Sequence, residues 1–306
     1  MMILIYPQLI PLIRFYLDNT NMIRFSLFLI VLVCTASFSQ HIEGTLVSIS
    51  NKEIILSGYE GLELKKLTST TTDSIGHFSM NYPANFIGAA LLQIKDKASI
   101  IVLLNKENFS IKWDNVQDSN SIQFIQSYEN NAFTEGMRIN NETEQKLAGL
   151  KFLLPLYTKN SKEYRLLKRE IAIQEAKFTF FLNNLPQTSY VKTYLKIRKL
   201  IADIPFTANR YIERFPQHEK DFTSLNFDND ALWNSGLLKD LFESYYQLTE
   251  SLLQPNEIFI HCNLATDAWI TKLAANPARQ QEIAELTFKW LEKRSLFGPA
   301  EYVAKS

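Results

Sequence analysis

The sequence predicts an α+β protein: an N-terminal antiparallel β-sandwich or barrel-like module followed by an all-α helical region. Three observations predict this order. Short strand-like runs bounded by turn residues fill residues 42–113. After residue 121 the apolar period changes from two to about 3.6. The later segments also carry helix caps and prolines at their expected ends. A chain of 306 residues is long enough for both parts.

Composition and charge exclude some classes of protein. Hydrophobic residues make up 46% and charged residues 21%, a globular balance that excludes a disordered chain. Lys plus Arg equals Asp plus Glu at 32 each, so the net charge gives no argument for a nucleic-acid partner. The cysteines are Cys34 and Cys262. Removal of an N-terminal signal would leave Cys262 alone, which excludes an internal disulfide and a C-x-x-C pair.

Residues 22–39 have the pattern of a secretory signal peptide. Arg24 precedes the apolar run 25–33, and small residues, ending with Ser39, lead to a predicted cut before Gln40. The apolar run is shorter than the ~20 residues of a membrane span, which favours a cleaved signal over an uncleaved anchor. The pattern predicts export to the periplasm or cell envelope.

Residues 1–21 are apolar but are interrupted by Pro7 and Pro11. If translation starts at Met22, this stretch is upstream read-through or a non-native extension. If it starts at Met1, the stretch is a second membrane segment. Two prolines in an already short run favour the first alternative.

Residues 40–115 are predicted to form the β-rich module. Alternation is clearest where Phe109, Ile111 and Trp113 share one face, and the run 99–104 is continuously apolar, as in a central strand covered on both faces. Gly76 closes a turn that needs a positive φ. The predicted strands are 44–49, 53–56, 62–67, 77–80, 90–94, 99–104 and 109–113.

Several of these segments resemble a family. The stretches that carry the resemblance are 42–46, 72–79 and 105–111, and, at the join that follows the module, 120–124 and 128–133. They resemble the N-terminal β-rich domain of unknown function, with its helical region, of exported thioredoxin-like (TlpA/ResA-like) thiol-disulfide oxidoreductases in bacteria. The resemblance covers residues 40–306. In that family the chain commonly runs on into a thioredoxin-like domain that holds the Cys pair.

Residues 116–306 are predicted to be helical. One helix is predicted to start near Ser161, to be closed by Pro186, and to bury one apolar stripe. A second helix is predicted to end at Pro205. The stripe of the first comprises Tyr164, Leu167, Ile171, Phe178 and Phe181.

Further helices are predicted from their caps. Asn234 or Ser235 caps one, Thr266 caps a short one, and Asn276 with Pro277 begins another that ends at 298–299. Residues 206–233 show no clear period and are predicted to be a long connection. Residues 298–306 open a last helix of about two turns. The resemblance then implies either a chain truncated before its redox domain or an accessory half that exists as a separate protein.

The pair His261–Cys262, with Asp267 nearby, is where soft ligands cluster in the sequence. A zinc site normally takes four ligands with paired spacing, which this group does not supply. Neighbouring residues of a helix or strand also point in different directions, which disfavours a nucleophile–base pair. We expect Cys262 to be a structural thiol.

The remaining polar candidates favour surface roles. His218–Glu219 is expected to be a solvated pair in the connection, and His41 and His77 have no partner in the sequence. The sequence therefore predicts no catalytic, cofactor-binding or metal-binding residue and no cofactor. Acidic residues expected to lie on solvated helix faces are Glu142, Glu144, Glu163, Glu170 and Glu175.

Together with the resemblance, these observations predict a non-catalytic accessory part, substrate- or partner-binding, of an exported thioredoxin-like thiol-disulfide oxidoreductase. The alternative is a free-standing binding or scaffold protein of the cell envelope. The expected partner is an envelope protein or a thioredoxin-like domain, with no nucleic acid, and with membrane contact only through the signal segment. An independent hydrolase or metalloenzyme is disfavoured because no residue set has the required spacing.

Overall fold

The computed structural model describes residues 40–210 and 212–306, with side chains described outside 203–212. The predicted signal at 22–39 and the stretch 1–21 lie outside the described residues. In the described part, strands come first and helices follow, which confirms the predicted α+β class.

The β part is a sandwich of two four-stranded sheets. One sheet has the order β4-β1-β7-β8 and the other β3-β2-β5-β6. The strands are β1 (Gln40–Leu46), β2 (Glu53–Glu60), β3 (Glu63–Thr71), β4 (His77–Tyr82), β5 (Ile87–Ile94), β6 (Ala98–Asn105), β7 (Phe109–Trp113) and β8 (Ile122–Ile125).

The alternating strand β7 is packed as predicted. Phe109, Ile111 and Trp113 are buried between the sheets, where side chains such as Ile54 and Leu92 of the facing sheet complete the core. Full burial of each such side chain stabilises the fold by about 1.5–3 kcal/mol. The apolar period therefore fixes which face of β7 points inward.

One pairing differs from a purely antiparallel module. β1 pairs antiparallel with β4 but parallel with β7, with Gly44 opposite Ile111. Parallel neighbours need a long connection between them, and here the chain forms the whole second sheet before it returns. Local alternation carries no information about this choice of partner.

Strand β6 is covered on both faces, as predicted, but it lies at a sheet edge rather than in the centre. Val102 and Leu104 face the sandwich core, whereas Leu103 faces the helical core. The edge itself is occupied by a side chain: Asn130 accepts from the Leu103 N–H at 2.8 Å and donates to the Leu103 carbonyl at 2.9 Å. This amide takes the place of a neighbouring strand.

The sandwich continues past residue 115, where the sequence pattern placed its end. β8 pairs antiparallel with β7, with Trp113 opposite Ile122. β8 has only four residues and follows a one-turn 3₁₀ helix at Ser119–Ser121, so its own period is too short to identify it.

The turn before β4 follows its prediction. Gly76 has a φ of 87°, and the Asp73 carboxylate accepts from the N–H groups of Ile75 and His77, both at 2.9 Å. A Cβ at Gly76 would lie 2.2 Å from the Leu46 carbonyl oxygen. Both the positive φ and this close approach require glycine.

Nine α-helices follow in the described residues. Two 3₁₀ turns, Leu154–Leu156 and Ile212–Arg214, lie between them. The helices are α1 (Tyr128–Leu153), α2 (Lys162–Asn184), α3 (Tyr190–Arg210), α4 (Phe215–Thr223), α5 (Asp230–Trp233), α6 (Leu238–Leu252), α7 (Pro255–Leu273), α8 (Pro277–Lys293) and α9 (Phe297–Lys305).

Two predicted helix starts are confirmed. Ser161 caps α2 by accepting from the Tyr164 N–H, and α2 ends before Pro186. Asn276 caps α8, with Pro277 at its first position. Local capping chemistry determines these ends.

Three predicted boundaries are wrong. α3 runs past Pro205 to Arg210, because a proline removes one N–H donor without ending a helix that continues on both sides. Thr266 lies inside α7, which begins earlier at a capping box formed by Gln254 and Glu257. α8 ends at Lys293, before 298–299, and Pro299 instead sits in the first turn of α9, where no intrahelical donor is lost.

The cap predicted for α6 is also displaced. The position before the helix is Leu237, which has no capping side chain, and Ser235 accepts from the Leu237 N–H instead. Asn234 is the C-cap of α5. The predicted polar residues are therefore adjacent to the helix start but do not cap it.

The segment 206–233 was predicted to be a long connection, and this prediction is wrong. The segment contains α4 and α5. Phe222, Phe227 and Trp233 are buried there, and the ring of Phe222 stacks on Tyr245 with centroids 4.1 Å apart. These aromatic side chains belong to the helical core. Their burial through tertiary contacts explains why no regular period was visible in such short helices.

A buried polar joint fixes the start of the helical region to the sandwich. Glu129, 2% exposed, accepts from the N–H groups of Tyr190 and Val191 at 3.0 and 2.6 Å, and from the Asn105 amide at 2.6 Å. Its carboxylate thus sits at the N-terminus of α3, where negative charge is favourable. With Asn130 at the edge of β6, this joint sets the direction of α1.

A second contact ties α5 to the sandwich. The Asn234 amide donates to the Ile87 carbonyl at 2.9 Å, and the Ala89 N–H donates to the Asn234 carbonyl at 2.7 Å. A Cβ at Gly88 would lie 2.5 Å from Asn234 Cβ, so only glycine permits this approach. The two contacts orient the helical region relative to the sandwich.

Candidate functional site

The structure joins one member of the pair His261–Cys262 to one member of the pair His218–Glu219. His261 Nδ1 on α7 lies 2.5 Å from Glu219 Oε1 on α4. The two side chains are mostly buried, and Phe215 packs its ring edge-on against the His261 imidazole at 5.0 Å. Glu219 is therefore not the solvated partner of His218 that the sequence suggested, since it holds an imidazole of another helix.

The same carboxylate oxygen has a second donor. The Tyr245 hydroxyl donates to Glu219 Oε1 at 3.3 Å, and burial raises the pKa of this phenol well above its usual value. Glu219 thus links α4, α6 and α7. A carboxylate–imidazole pair can orient a general base, but it needs a nucleophile or a substrate within reach to act as one.

Cys262 does not supply that nucleophile. Its side chain is 0% exposed, and burial raises the thiol pKa to about 12. It follows His261 on the same helix and therefore points in another direction, into the helical core. The prediction of a structural thiol agrees with this position.

Asp267, the third member of the predicted cluster, contacts a different element. It accepts from the Tyr302 hydroxyl of α9 at 2.7 Å. Within residues 40–210 and 212–306, no group of three His, Cys, Asp or Glu side chains is placed to hold a metal ion. The sequence cluster is therefore divided between a buried thiol, an ion pair and a helix contact.

His41 and His77 lie on the outer face of the first sheet. His77 Nδ1 is 2.9 Å from the Thr45 hydroxyl, and His41 Nδ1 is 3.0 Å from the Asn81 amide oxygen. His218, by contrast with its predicted exposure, is buried on α4. The contacts of His41 and His77 link the neighbouring strands β1 and β4 and do not assemble a site.

The helix acids have mostly local partners. Arg138 pairs with Glu142, Asn140 donates to Glu144, and Gln174 donates to Glu170. Glu163 is exposed in the first turn of α2. Glu175 accepts from Lys151 of α1 at 2.7 Å, a contact that holds α1 and α2 together.

A cavity of about 520 Å³ lies between α2, α3, α4 and the segment around α5. Its apolar lining is aliphatic, with Leu182, Ile197 and Leu200 among its side chains, and His218 and Lys196 add polar groups. The aromatic stripes do not line this cavity, although Phe178, which is buried in the helical core, borders a separate cavity of about 260 Å³ between α1 and α3.

An exposed apolar surface of the helical region lies where α1 turns into α2. Phe152 is 72% and Leu156 is 70% exposed, and Leu153 and Tyr157 are about two-fifths exposed. We call residues 152–157 the hairpin tip. The sequence showed these apolar residues, but their exposure could not be read from a period because they lie at a helix end and in a 3₁₀ turn.

Basic side chains flank the hairpin tip along the chain. Between residues 146 and 169 the chain has seven Lys or Arg residues against one acid, Glu163. Lys151 is engaged with Glu175. The other six are exposed, and none has an ion pair among the described residues: Lys146, Lys159, Lys162, Arg165, Lys168 and Arg169.

Comparison with known proteins gives no neighbour. No protein family, curated protein or solved structure matches the chain. In the part of the chain that the structure describes, no helix has both the length and the apolar character of a membrane span.

Proposed function

We propose that this protein acts by binding rather than by catalysis, as an accessory or scaffold component of the cell envelope. The observation that carries the proposal is the state of Cys262, whose thiol is sealed in the helical core with a pKa raised to about 12. A redox role would need an accessible thiolate. The His261–Glu219 pair has no nucleophile beside it in Cys262, so it acts as a link between α4 and α7.

In its more specific form, the proposal is that the protein serves as the substrate- or partner-binding part of an exported thioredoxin-like thiol-disulfide oxidoreductase. The resemblance of segments such as 42–46 and 72–79 supports this form. A sealed Cys262 is compatible with it, because the redox Cys pair would belong to a thioredoxin-like domain that this part binds. The expected partner is therefore such a domain.

The alternative is a free-standing envelope scaffold. The observation that favours it is the pair of contacts at Glu129 and Asn234, which join the sandwich and the helices to each other. A calorimetric titration with an exported thioredoxin-like domain from the same genome distinguishes the two forms. Saturable binding supports the accessory role, and no heat of binding favours the scaffold.

Absence of redox catalysis is tested by insulin reduction with dithiothreitol. We expect the protein and its Cys262→Ser variant to give the same rate as dithiothreitol alone. A rate above this background that Cys262→Ser abolishes would contradict the proposal, because it would make the thiol a redox group. A rate that survives the substitution would contradict it as well and would indicate another catalytic group.

The burial of Cys262 predicts that its thiol reacts slowly in the folded protein. Because burial raises the pKa of the Cys262 thiol to about 12, the thiolate is a minor form at pH 8, and the buried side chain is shielded from reagents. In the protein from Gln40 onward, where Cys262 is the one cysteine, we expect Ellman's reagent to modify the native state only as fast as it opens, and the urea-unfolded state within the mixing time. Rapid reaction of the native protein at pH 8 would show that the thiol is accessible.

A further inference from the structure

The hairpin tip has an unusual distribution of apolar groups for a soluble surface. Phe152 and Leu156 are at least 70% exposed, and Leu153 and Tyr157 are about two-fifths exposed, within six consecutive residues. Exposed apolar side chains grouped in this way mark contacts with proteins, ligands or membranes. Their grouping favours a contact surface over singly scattered exposure.

The positive charges that flank the hairpin tip indicate which kind of surface it contacts. Lys159 lies in the connecting turn and Lys162 begins α2, while Arg165 and Arg169 follow within the next two turns, about 10 Å along the helix. Lys146 is about two turns before the end of α1. The whole chain is neutral, so this positive charge is concentrated at one end of the hairpin.

An apolar tip with a basic collar matches the interface of an anionic lipid bilayer. Phe, Leu and Tyr side chains enter the boundary between headgroups and acyl chains, and Lys and Arg bind the negative surface beside it. In contrast to the expectation that only the signal segment contacts a membrane, we propose that the α1–α2 hairpin tip binds anionic lipid membranes by inserting Phe152 and Leu156 while the flanking lysines and arginines contact the headgroups.

Self-association through the tip is disfavoured by the same charges. Two copies meeting tip to tip would bring together the positive collars of both chains, with Glu163 as the one acid between residues 146 and 169 of each. An anionic bilayer instead neutralises these cations. Charge thus distinguishes a lipid surface from a second copy as the occupant.

The fold holds the tip in position for such a contact. α1 is fixed at its start by Glu129 and Asn130, and from Asn130 its axis extends about 35 Å to the tip. Lys151 with Glu175 keeps α2 beside α1 near the far end. The proposed membrane contact is therefore remote from the sandwich.

The test uses the protein from Gln40 onward, the unit that contains both cores. Co-flotation is measured with vesicles of phosphatidylcholine alone and with vesicles that contain a third phosphatidylglycerol. We expect binding only to the anionic vesicles. The double variant Phe152→Ser with Leu156→Ser should weaken it at least about tenfold, because the inserted area is lost.

Phe180 provides the matched control. It is 70% exposed on the same hairpin, but it lies about 27 Å along α2 from Lys162. Phe180→Ser should leave binding unchanged. Equal losses from Phe180→Ser and from the tip variant would overturn the proposal, because the effect would then follow surface hydrophobicity and not position.

Charge reversal tests the collar separately. Lys159→Glu with Arg165→Glu should reduce binding to anionic vesicles at least about tenfold. Lys97→Glu, an exposed lysine of the β5–β6 turn, should have no effect. Retained binding after reversal, or equal binding of the unmodified protein to neutral vesicles, would overturn the proposal.

Self-association is tested by sedimentation equilibrium. A monomer at the concentrations used for flotation supports the lipid contact, and a dimer that dissociates on Phe152→Ser overturns it. Circular dichroism checks that each variant is folded. If one of the two double variants, at Phe152 and Leu156 or at Lys159 and Arg165, fails to fold, the other still tests the proposal. Failure of vesicle binding would leave the thioredoxin-like partner proposal standing, because calorimetry tests that partner without lipid.

Discussion

The two ends of the α1–α2 hairpin have opposite chemistry. At its base, polar side chains are buried: Glu129 is 2% exposed and Asn130 is completely buried. At its tip, apolar side chains are exposed, with Phe152 and Leu156 more than two-thirds open to solvent. The same pair of helices thus reverses the usual placement of polar and apolar residues at each end.

The difference separates orientation from contact. Buried polar groups with several partners fix one geometry, because a misplaced carboxylate or amide would be left without hydrogen bonds. Exposed apolar groups cost little stability in the free protein and favour contact with a surface. We therefore expect substitutions at the base to change folding and substitutions at the tip to change binding.

The largest effect on stability is expected from Glu129→Ala. The change leaves the N–H groups of Tyr190 and Val191 and the amide of Asn105 without their acceptor, so we expect a loss of about 3 kcal/mol in the free energy of unfolding. Urea denaturation measures it. Glu144→Ala, on an exposed position of the same helix, is the control and should change stability by less than about 0.5 kcal/mol. A loss below about 1 kcal/mol at Glu129 would show that the joint does not fix α1.

A smaller loss is expected from Asn130→Ala. The Leu103 N–H and carbonyl at the edge of β6 would lose their shared partner, at a cost of about 2 kcal/mol in the free energy of unfolding. The neighbouring residue Asn131 is exposed, so Asn131→Ala should be nearly neutral. Equal effects of the two substitutions would show that the edge of β6 does not need the Asn130 amide.

Two glycines of α1 should respond with opposite signs. A Cβ at Gly136 would lie 2.6 Å from Leu195 Cδ1, whereas a Cβ at Gly149 would meet nothing within 4 Å. Gly136→Ala should destabilise by about 1 kcal/mol after the gain in helix propensity, and Gly149→Ala should stabilise by about 0.5–1 kcal/mol. Thermal denaturation of both variants measures the signs. A stabilised Gly136→Ala protein would mean that α1 and α3 can move apart at the base.

The smallest effect on stability is expected at the tip. Phe152→Ser with Leu156→Ser removes side chains that are mostly exposed, so the free energy of unfolding should stay within about 0.5 kcal/mol of the unmodified protein. Urea denaturation gives this value. A loss above about 2 kcal/mol would place the tip in the folded core and remove the contrast with the base.

Much of the sandwich could be predicted from the sequence because its strands have clear local signals. The alternation at Phe109, Ile111 and Trp113 and the turn at Gly76 both matched the structure. The pairing of the strands could not be predicted from these local signals, because the parallel contact of β1 with β7 joins residues far apart in the chain. The short strand β8 was missed because four residues carry too little period.

In the helical region, too, features set by local contacts could be predicted and features set by distant contacts could not. Ser161 and Asn276 act through hydrogen bonds to residues a turn away, so their roles were predictable. Burial of Phe222 and Phe227 depends on helices that arrive later in the chain, so the segment 206–233 was wrongly predicted to be a connection.

The candidate site could be predicted only in part. Cys262 was predicted to be a structural thiol because the zinc spacing is missing, and the structure shows that the thiol is buried. The contact of Glu219 with His261 joins residues 42 positions apart and left no local pattern. The buried joint at Glu129 was equally hidden, because an acid in the first turn of a helix normally indicates exposure and a favourable helix dipole.

Hydrogen–deuterium exchange with and without anionic vesicles tests the contrast between base and tip most directly. The Leu103 N–H, bonded by Asn130, should exchange only through large-scale unfolding and should not respond to vesicles. The N–H groups of the hairpin tip should exchange much faster and should become protected when phosphatidylglycerol vesicles are added. Exchange at the tip that is unchanged by the vesicles, or a Leu103 N–H that exchanges as fast as the tip, would contradict a rigid base that presents a membrane-binding tip.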